Sequence, residues 1–327
     1  MVQPASGTTL QYPYIGELMW EYITKDLQLN LIASKVLPFY QVPDEIAYVP
    51  VISREQILKL GDSDLLRAPG AGYETDDSEF EQKNYQCYEY GKARPVDDVL
   101  KKKYAKLFDA REVAARLTMK DIWMRYEYRT SSLLFNATTF SGFTGGVSTE
   151  WNTASTCTPR ADVATAITAI RNNTGMEANG AIMTITSLEN VLASTDFKGW
   201  AQYTLGVQNL PVTVEQKAQM AAAYLGIPKV HVAAGVYDSA KKGQTFVSAY
   251  LWSYEYVLVG KFAEEGTPIE EPAIGRSLLW SADSPVPVVA ESYYNDEKRC
   301  EMMRCRHYID EKVFFPECGY LLSNIHT

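Results

Sequence analysis

VDDVLKKKYAKLFDAREVAARLTMKDIWMRYEYRTSSLLFN, residues 96–136, contains neither glycine nor proline, and the next of either is Gly142. The stretch reads as one helix, opened by Asp97 and Asp98 at its positive end. About 38 helical residues would span roughly 57 Å. Leu100, Tyr104, Leu107, Ala114, Leu117 and Ile122 share one face. Lys102, Lys106, Asp109, Glu112, Arg116 and Lys120 lie mostly on the other. From Trp123 onward, Met124, Tyr126 and Tyr128 put apolar groups on nearly every side, so this half should be covered from two directions. Such a helix suits a structural spine whose far half contacts other subunits. The plainer alternative is a kinked helix, or a helix pair, inside a monomer.

Upstream, residues 50–95 carry turn chemistry at Pro69-Gly70-Ala71-Gly72 and then a tyrosine-rich alternation. Tyr85, Cys87 and Glu89 fall on one side, and Gln86, Tyr88 and Tyr90 on the other. This predicts a long two-stranded excursion with an acidic tip. A lone hairpin is marginal in water, so it should be ordered by lying on a neighbour. Residues 1–49 have a helical piece, GELMWEYITKDLQL (16–29). An extended piece follows, broken at Pro38, Pro43 and Pro50. They read as an arm lying across something else.

Downstream of a Gly/Thr/Ser-rich link (141–157), helix and strand patterns alternate. TPRADVATAITAIRNNTG (158–175) has a capping Thr158, Pro159 at the first helical position, and Val163, Ala166, Ile167 and Ile170 at helical spacing. GAIMTIT (180–186) is a buried strand, and Ser187 opens another helix. VEQKAQMAAAYLG (214–226) is a helix with a glycine stop. KVHVAAG (229–235) and two runs within 244–262 are strands, giving an α/β unit with a mixed sheet. The tail from about 281 returns to β structure, with Arg304 and Arg306 on one face and Cys305 and His307 on the other.

Composition narrows the function. The chain has 327 residues, 46% hydrophobic and 22% charged, with 22 tyrosines and only 3 histidines. That is ordinary for a folded protein, and enough for two or three cores. Tyrosine suits interfaces as well as cores. The net charge of −9 argues against tight nucleic-acid binding, yet a container for DNA would also avoid a sticky basic lining. The 5 cysteines are an odd number, and the first residues lack a basic start followed by an apolar core. Both features point to reduced thiols and cytoplasmic folding. No apolar run reaches the length of about 18 that a membrane span needs.

No motif nominates a catalytic, cofactor-binding or metal-binding residue. Cys300, Cys305, His307 and Cys318 have the spacing C-x4-C-x-H-x10-C, which is not a common finger. Strand alternation would also point 300 and 305 opposite ways. His231 reads as a core histidine, and His326 lies in the tail. The glycines at 70–72 and 142–146 read as turn and linker, with no following Lys-Ser/Thr. Lys83 reads as a solvated charge rather than a cross-linking lysine.

The order of these pieces resembles the major capsid proteins of tailed bacteriophages with the HK97-type fold. The resemblance rests on YQCYEYGKARPVDD (85–98) leading into the long helix and on TPRADVATAITAIRNNTGMEANGAIMTITSLENVL (158–192). It rests also on AAAYLGIPKVHVAAGVY (221–237) and RCEMMRCRHYIDEKVFFPECGYLLSN (299–324). It implies an α+β fold with an N-terminal arm (1–49), an extended β-hairpin loop with flanking strands (50–95) and a spine helix of the peripheral domain (96–140). An axial α/β domain (141–280) and closing β strands of the peripheral domain (281–327) would follow.

The implied function is a structural protein, not an enzyme. It would self-assemble as pentamers and hexamers into an icosahedral shell around packaged double-stranded DNA, without cofactor or membrane. Its place would be the virion, assembled in the host bacterial cytoplasm with a separate scaffold protein, a portal and in some cases a decoration protein. Assembly contacts would come from Leu65, Leu66, Tyr73, Phe80 and Tyr85 of the loop and from Trp123, Tyr126 and Tyr128 of the spine. Two alternatives stand beside it. One is an encapsulin-like nanocompartment shell; the other is a cytoplasmic α/β enzyme such as a hydrolase.

Overall fold

The structure, a computed structural model, describes residues 10–11, 31–52, 80–104, 109–205, 213–269 and 271–326, with isolated positions between 56 and 75. The helix expected over 16–29 lies outside the described residues, as does Leu65.

The chain opens with β1 (Leu10–Gln11), α1 (Ala33–Val36), β2 (Phe39–Val42), β3 (Ile46–Ile52), β4 (Phe80–Gln86) and β5 (Tyr88–Asp97). Helices α2 (Asp98–Tyr104) and α3 (Ala110–Leu134) follow. The middle holds β6 (Thr144–Gly146), α4 (Pro159–Thr174), β7 (Gly180–Thr184), α5 (Ile185–Ala193), α6 (Thr195–Trp200), α7 (Val214–Leu225) and β8 (Lys229–Ala233). Then come β9 (Val236–Asp238), β10 (Ser248–Tyr250), β11 (Val257–Gly260), β12 (Gly275–Trp280), β13 (Val289–Asn295), β14 (Cys300–Val313) and β15 (Gly319–Ser323).

The long glycine-free stretch is two helices, not one. Asp109 interrupts it with extended backbone (φ −80°, ψ 108°) and accepts the Arg111 N–H at 2.9 Å. With Glu112 in the first turn, Asp109 starts α3 afresh as an N-cap. The break re-phases the faces. Ala115, Met119, Ile122, Trp123, Tyr126 and Thr130 form the buried side of α3, whereas Leu100 and Leu117, expected inside, are exposed.

Helix α3 lies across the larger sheet, whose order is β1-β13-β14-β12-β2 with β5 also on β14. The 14-residue β14 has β5 along one edge, and β13 and then β12 along the other. Phe39 from β2 stacks on Tyr126 at 5.3 Å between ring centroids and meets Trp123 edge-on at 5.9 Å. Cys305 and Ile309 of β14 complete this core. The expected alternation along β14 holds. Arg304 and Arg306 both reach the buried Glu291, while Cys305 and His307 face inward.

The second sheet, β6-β15-β11-β7-β8, mixes parallel and antiparallel pairs and is packed by α4, α5 and α7. The expected division at residue 280 is not where the strands divide. β12 belongs to the larger sheet and β15 to the smaller one, because the chain crosses between the sheets at Lys261–Ile274 and again after β14. Gly275 makes the first crossing possible. A side chain there would collide with the Lys312 carbonyl of the neighbouring strand.

Candidate assembly interface

Strands β3 and β4 pair antiparallel from Ile46↔Gln86 to Ile52↔Phe80, forming a ribbon that leaves the body at Cys87. Alternation gives the ribbon two unlike faces. Val49, Val51 and Tyr85 are buried against the body. Lys83, on the same face, donates to the Phe314 carbonyl and lies 5.2 Å from the centre of the Phe315 ring. It is therefore a packed anchor, not the solvated charge expected. The other face carries Ile46, Tyr48 and Ile52 at 61%, 66% and 46% exposure. Farther out, Leu60, Leu66 and Tyr73 are also exposed, and Arg67 caps the Tyr73 ring at 4.6 Å. The side chain of Phe80 lies outside the described residues.

The spine candidates separate. Trp123 and Tyr126 are buried within their own chain, and so is Tyr85 of the ribbon; these three are core residues, not exposed contacts. The Tyr126 hydroxyl bonds to the Leu37 carbonyl at 3.1 Å and to Ser277 Oγ at 2.7 Å, which ties α3 to both the arm and the sheet. Tyr128 is exposed and touches Tyr237 edge-on at 5.8 Å. Between α3, β5 and β9 runs a groove of about 1100 Å³, lined by Lys92, Asp121, Met124, Arg125, Tyr128 and Tyr237 among others. Beside it the β9–β10 hairpin is pinned by Asp238, which accepts the Ala240 and Val247 N–H groups at 3.0 Å; these bonds hold its carboxyl below the usual range.

Two polar centres were not legible as such in the sequence. Glu127, only 1% exposed, accepts the Ile32 and Ala33 N–H groups at 3.0 and 2.9 Å and the Trp252 indole N–H at 2.6 Å. It joins the arm, the spine and the segment before β11. Burial pushes its pKa up, with the three donors pulling the other way. Arg129 lies over the Tyr90 ring at 3.8 Å, binds Glu311 at 2.7 Å and meets His307 Nε2 at 3.3 Å. Burial pushes His307 down to about 3 and His231 down to about 4.

Burial also pushes the thiols of Cys87, Cys305 and Cys318 up to about 12, far from thiolate formation at neutral pH. Among the described residues no three His, Cys, Asp or Glu side chains converge as a metal site would need. Cys305 and Cys318 belong to different cores. Among the described residues no helix is long and apolar enough to cross a membrane.

No protein-family model matches this chain, and no curated protein matches it. Solved structures do. A phage-related protein from Bordetella bronchiseptica superposes with a TM-score of 0.72 at 16% identity, covering 97% of this chain and 98% of the other. A putative capsid protein of a prophage from E. coli CFT073 gives 0.55 at 8% identity, with 97% and 99% covered. The capsid of cyanophage P-SCSP1u gives 0.55 at 10% identity, with 88% and 86% covered. The chain therefore has the α+β, HK97-type fold of tailed-phage capsid proteins.

Proposed function

We propose that this chain is a major capsid protein, which assembles as pentamers and hexamers into an icosahedral shell around double-stranded DNA. The observation that carries the proposal is the uncovered ribbon. A soluble monomer rarely displays apolar groups as openly as Leu60, Leu66 and Tyr48, and large exposed patches mark interaction sites. Placed on a fold shared with capsid proteins, such a ribbon supports contact with further copies. The shell would be built by repeated contacts that close on themselves, with a scaffold protein and portal as partners and the virion as its location. Its role is structural.

Negative-stain electron microscopy of the purified chain tests this. Closed, uniform particles are expected, and only small soluble oligomers would overturn it in favour of an enzyme. Particles recovered from the native host should hold nuclease-protected DNA. DNA-free particles filled with a second protein would mean a nanocompartment instead.

A further inference from the structure

The last strand of the larger sheet is β2 and the last strand of the smaller one is β8. Residues of both line a cavity of about 870 Å³, where neither sheet continues. Sites for small molecules typically measure roughly 300–1,000 Å³ and combine apolar walls with a few convergent polar groups. The apolar wall here is aromatic. It is built by Phe39 of β2, Trp123 of α3 and Phe262 of the crossing that follows β11. Trp123 and Phe262 are buried.

Lys35, Lys229 and His231 line the same space. Lys229 and His231 are two residues apart on β8, so strand alternation turns both to one face. Lys35 comes from α1, whose start is fixed to the spine by the Glu127 carboxyl. His231 is only 7% exposed. Its ring meets Phe262 edge-on at 5.7 Å but has no hydrogen bond among the described residues, whereas buried polar side chains normally have one. Neither lysine is hydrogen-bonded or ion-paired through its side chain among the described residues. Burial, and then the charges of Lys229 and Lys35, keep the His231 ring neutral, so both charges act at the ring. A neutral imidazole still donates one N–H. The carboxyl groups of the cavity leave these donors unanswered. Glu127 is committed to three N–H groups, and Glu264 and Glu265 are exposed and make no ion pair with either lysine.

We infer that this cavity binds a small organic anion. Its aromatic body would lie against Phe39, Trp123 and Phe262, and its single anionic head, a carboxylate or a phosphate, would be held by Lys35, Lys229 and His231. Glu264 and Glu265 would disfavour a second anionic group on the same ligand. The bound anion would tie the arm helix to the end strand of the smaller sheet and stabilise the folded subunit by mass action. The site lies within one subunit, so it does not depend on the shell reading.

Equilibrium dialysis of the full-length chain, at subunit concentrations too low for assembly, tests it with naphthoate, naphthyl phosphate, neutral naphthamide and inorganic phosphate. Naphthoate, naphthyl phosphate or both should bind saturably, one per subunit, and the difference between them shows which head the site prefers. Naphthamide, which lacks the charge, and inorganic phosphate, which lacks the aromatic body, should each bind at least about tenfold more weakly than the better naphthyl anion. Lys35→Gln with Lys229→Gln, both at exposed positions, should leave far-UV circular dichroism unchanged and weaken that anion at least about tenfold. Lys35→Arg with Lys229→Arg keeps both charges and should stay within about threefold of the parent. No saturable binding of either naphthyl anion, naphthamide or inorganic phosphate binding as tightly as the better anion, or an unchanged affinity in the glutamine variant would each overturn the site. All of these outcomes leave the shell reading standing.

Discussion

Replacing Glu127 tests how three distant segments are held together. Its carboxyl accepts two backbone N–H groups from the start of the arm helix and one indole N–H from Trp252. Ile32, Ala33 and Trp252 are all buried, so water does not readily replace the lost acceptor. Stranding a buried donor costs about 1–3 kcal/mol, and this carboxyl serves three of them. Glu127→Ala should therefore lose about 3–5 kcal/mol, a large fraction of a typical folding free energy of about 5–15 kcal/mol. Glu127→Gln keeps the shape and one acceptor oxygen but turns an N–H₂ group toward a donor; it should lose about 1–3 kcal/mol. Urea titration followed by tryptophan fluorescence, at subunit concentrations too low for assembly, reads both. If both variants stay within about 0.5 kcal/mol of the parent, the reasoning fails and Glu127 does not pin the arm to the spine.

Other outcomes follow from the same structure. Gly275→Ala should cost more than about 2 kcal/mol, because the added methyl meets the backbone of Lys312 and Val313 rather than a movable side chain; thermal melting checks it. His231 and His307 are held neutral to about pH 4 and 3 when folded but take protons below about 6.5 when unfolded. Their contribution is thus full above about pH 6.5 and lost as pH falls, by up to about 1.4 kcal/mol per unit for each histidine. Urea midpoints between pH 7 and 5 should fall more steeply in the parent than in a His231→Gln, His307→Gln variant, and equal slopes would contradict this. None of the five buried cysteines should react with a thiol reagent in the native protein, and all should react once it is denatured. Rapid native labelling would show that the cores around Cys87 and Cys305 open.

Local signals are legible where they are self-contained. The helix expected from TPRADVATAITAIRNNTG spans Pro159–Thr174, with Gly175 left-handed at φ 71° and its N–H on the Arg171 carbonyl. Val163, Ala166 and Ile170 are buried as their spacing predicts. VEQKAQMAAAYLG likewise ends at Gly226 with φ 74°. The break at Asp109 has its own signal, since Asp109-x-x-Glu112 has the form of a capping box, but the apolar spacing continues across it and by itself points to one helix. Thr184, not Ser187, caps the helix after β7.

The candidate contacts were harder, since apolar character alone does not tell core from interface. Trp123, Tyr126 and Tyr85 are inside because the arm and sheet cover them, a matter of tertiary packing that no spacing reveals. Leu66, Tyr73 and Tyr128 are outside by the same logic. Glu127 was hidden in a run of aromatic residues, and its role depends on residues about 95 and 125 positions away.

Sedimentation velocity of the intact, purified chain over a wide concentration range tests the central claim most directly. The expected result is a sharp rise, with concentration, of closed megadalton particles, with little between subunit or ring and shell. A single compact monomer at every concentration, with its ribbon uncovered, would contradict the account.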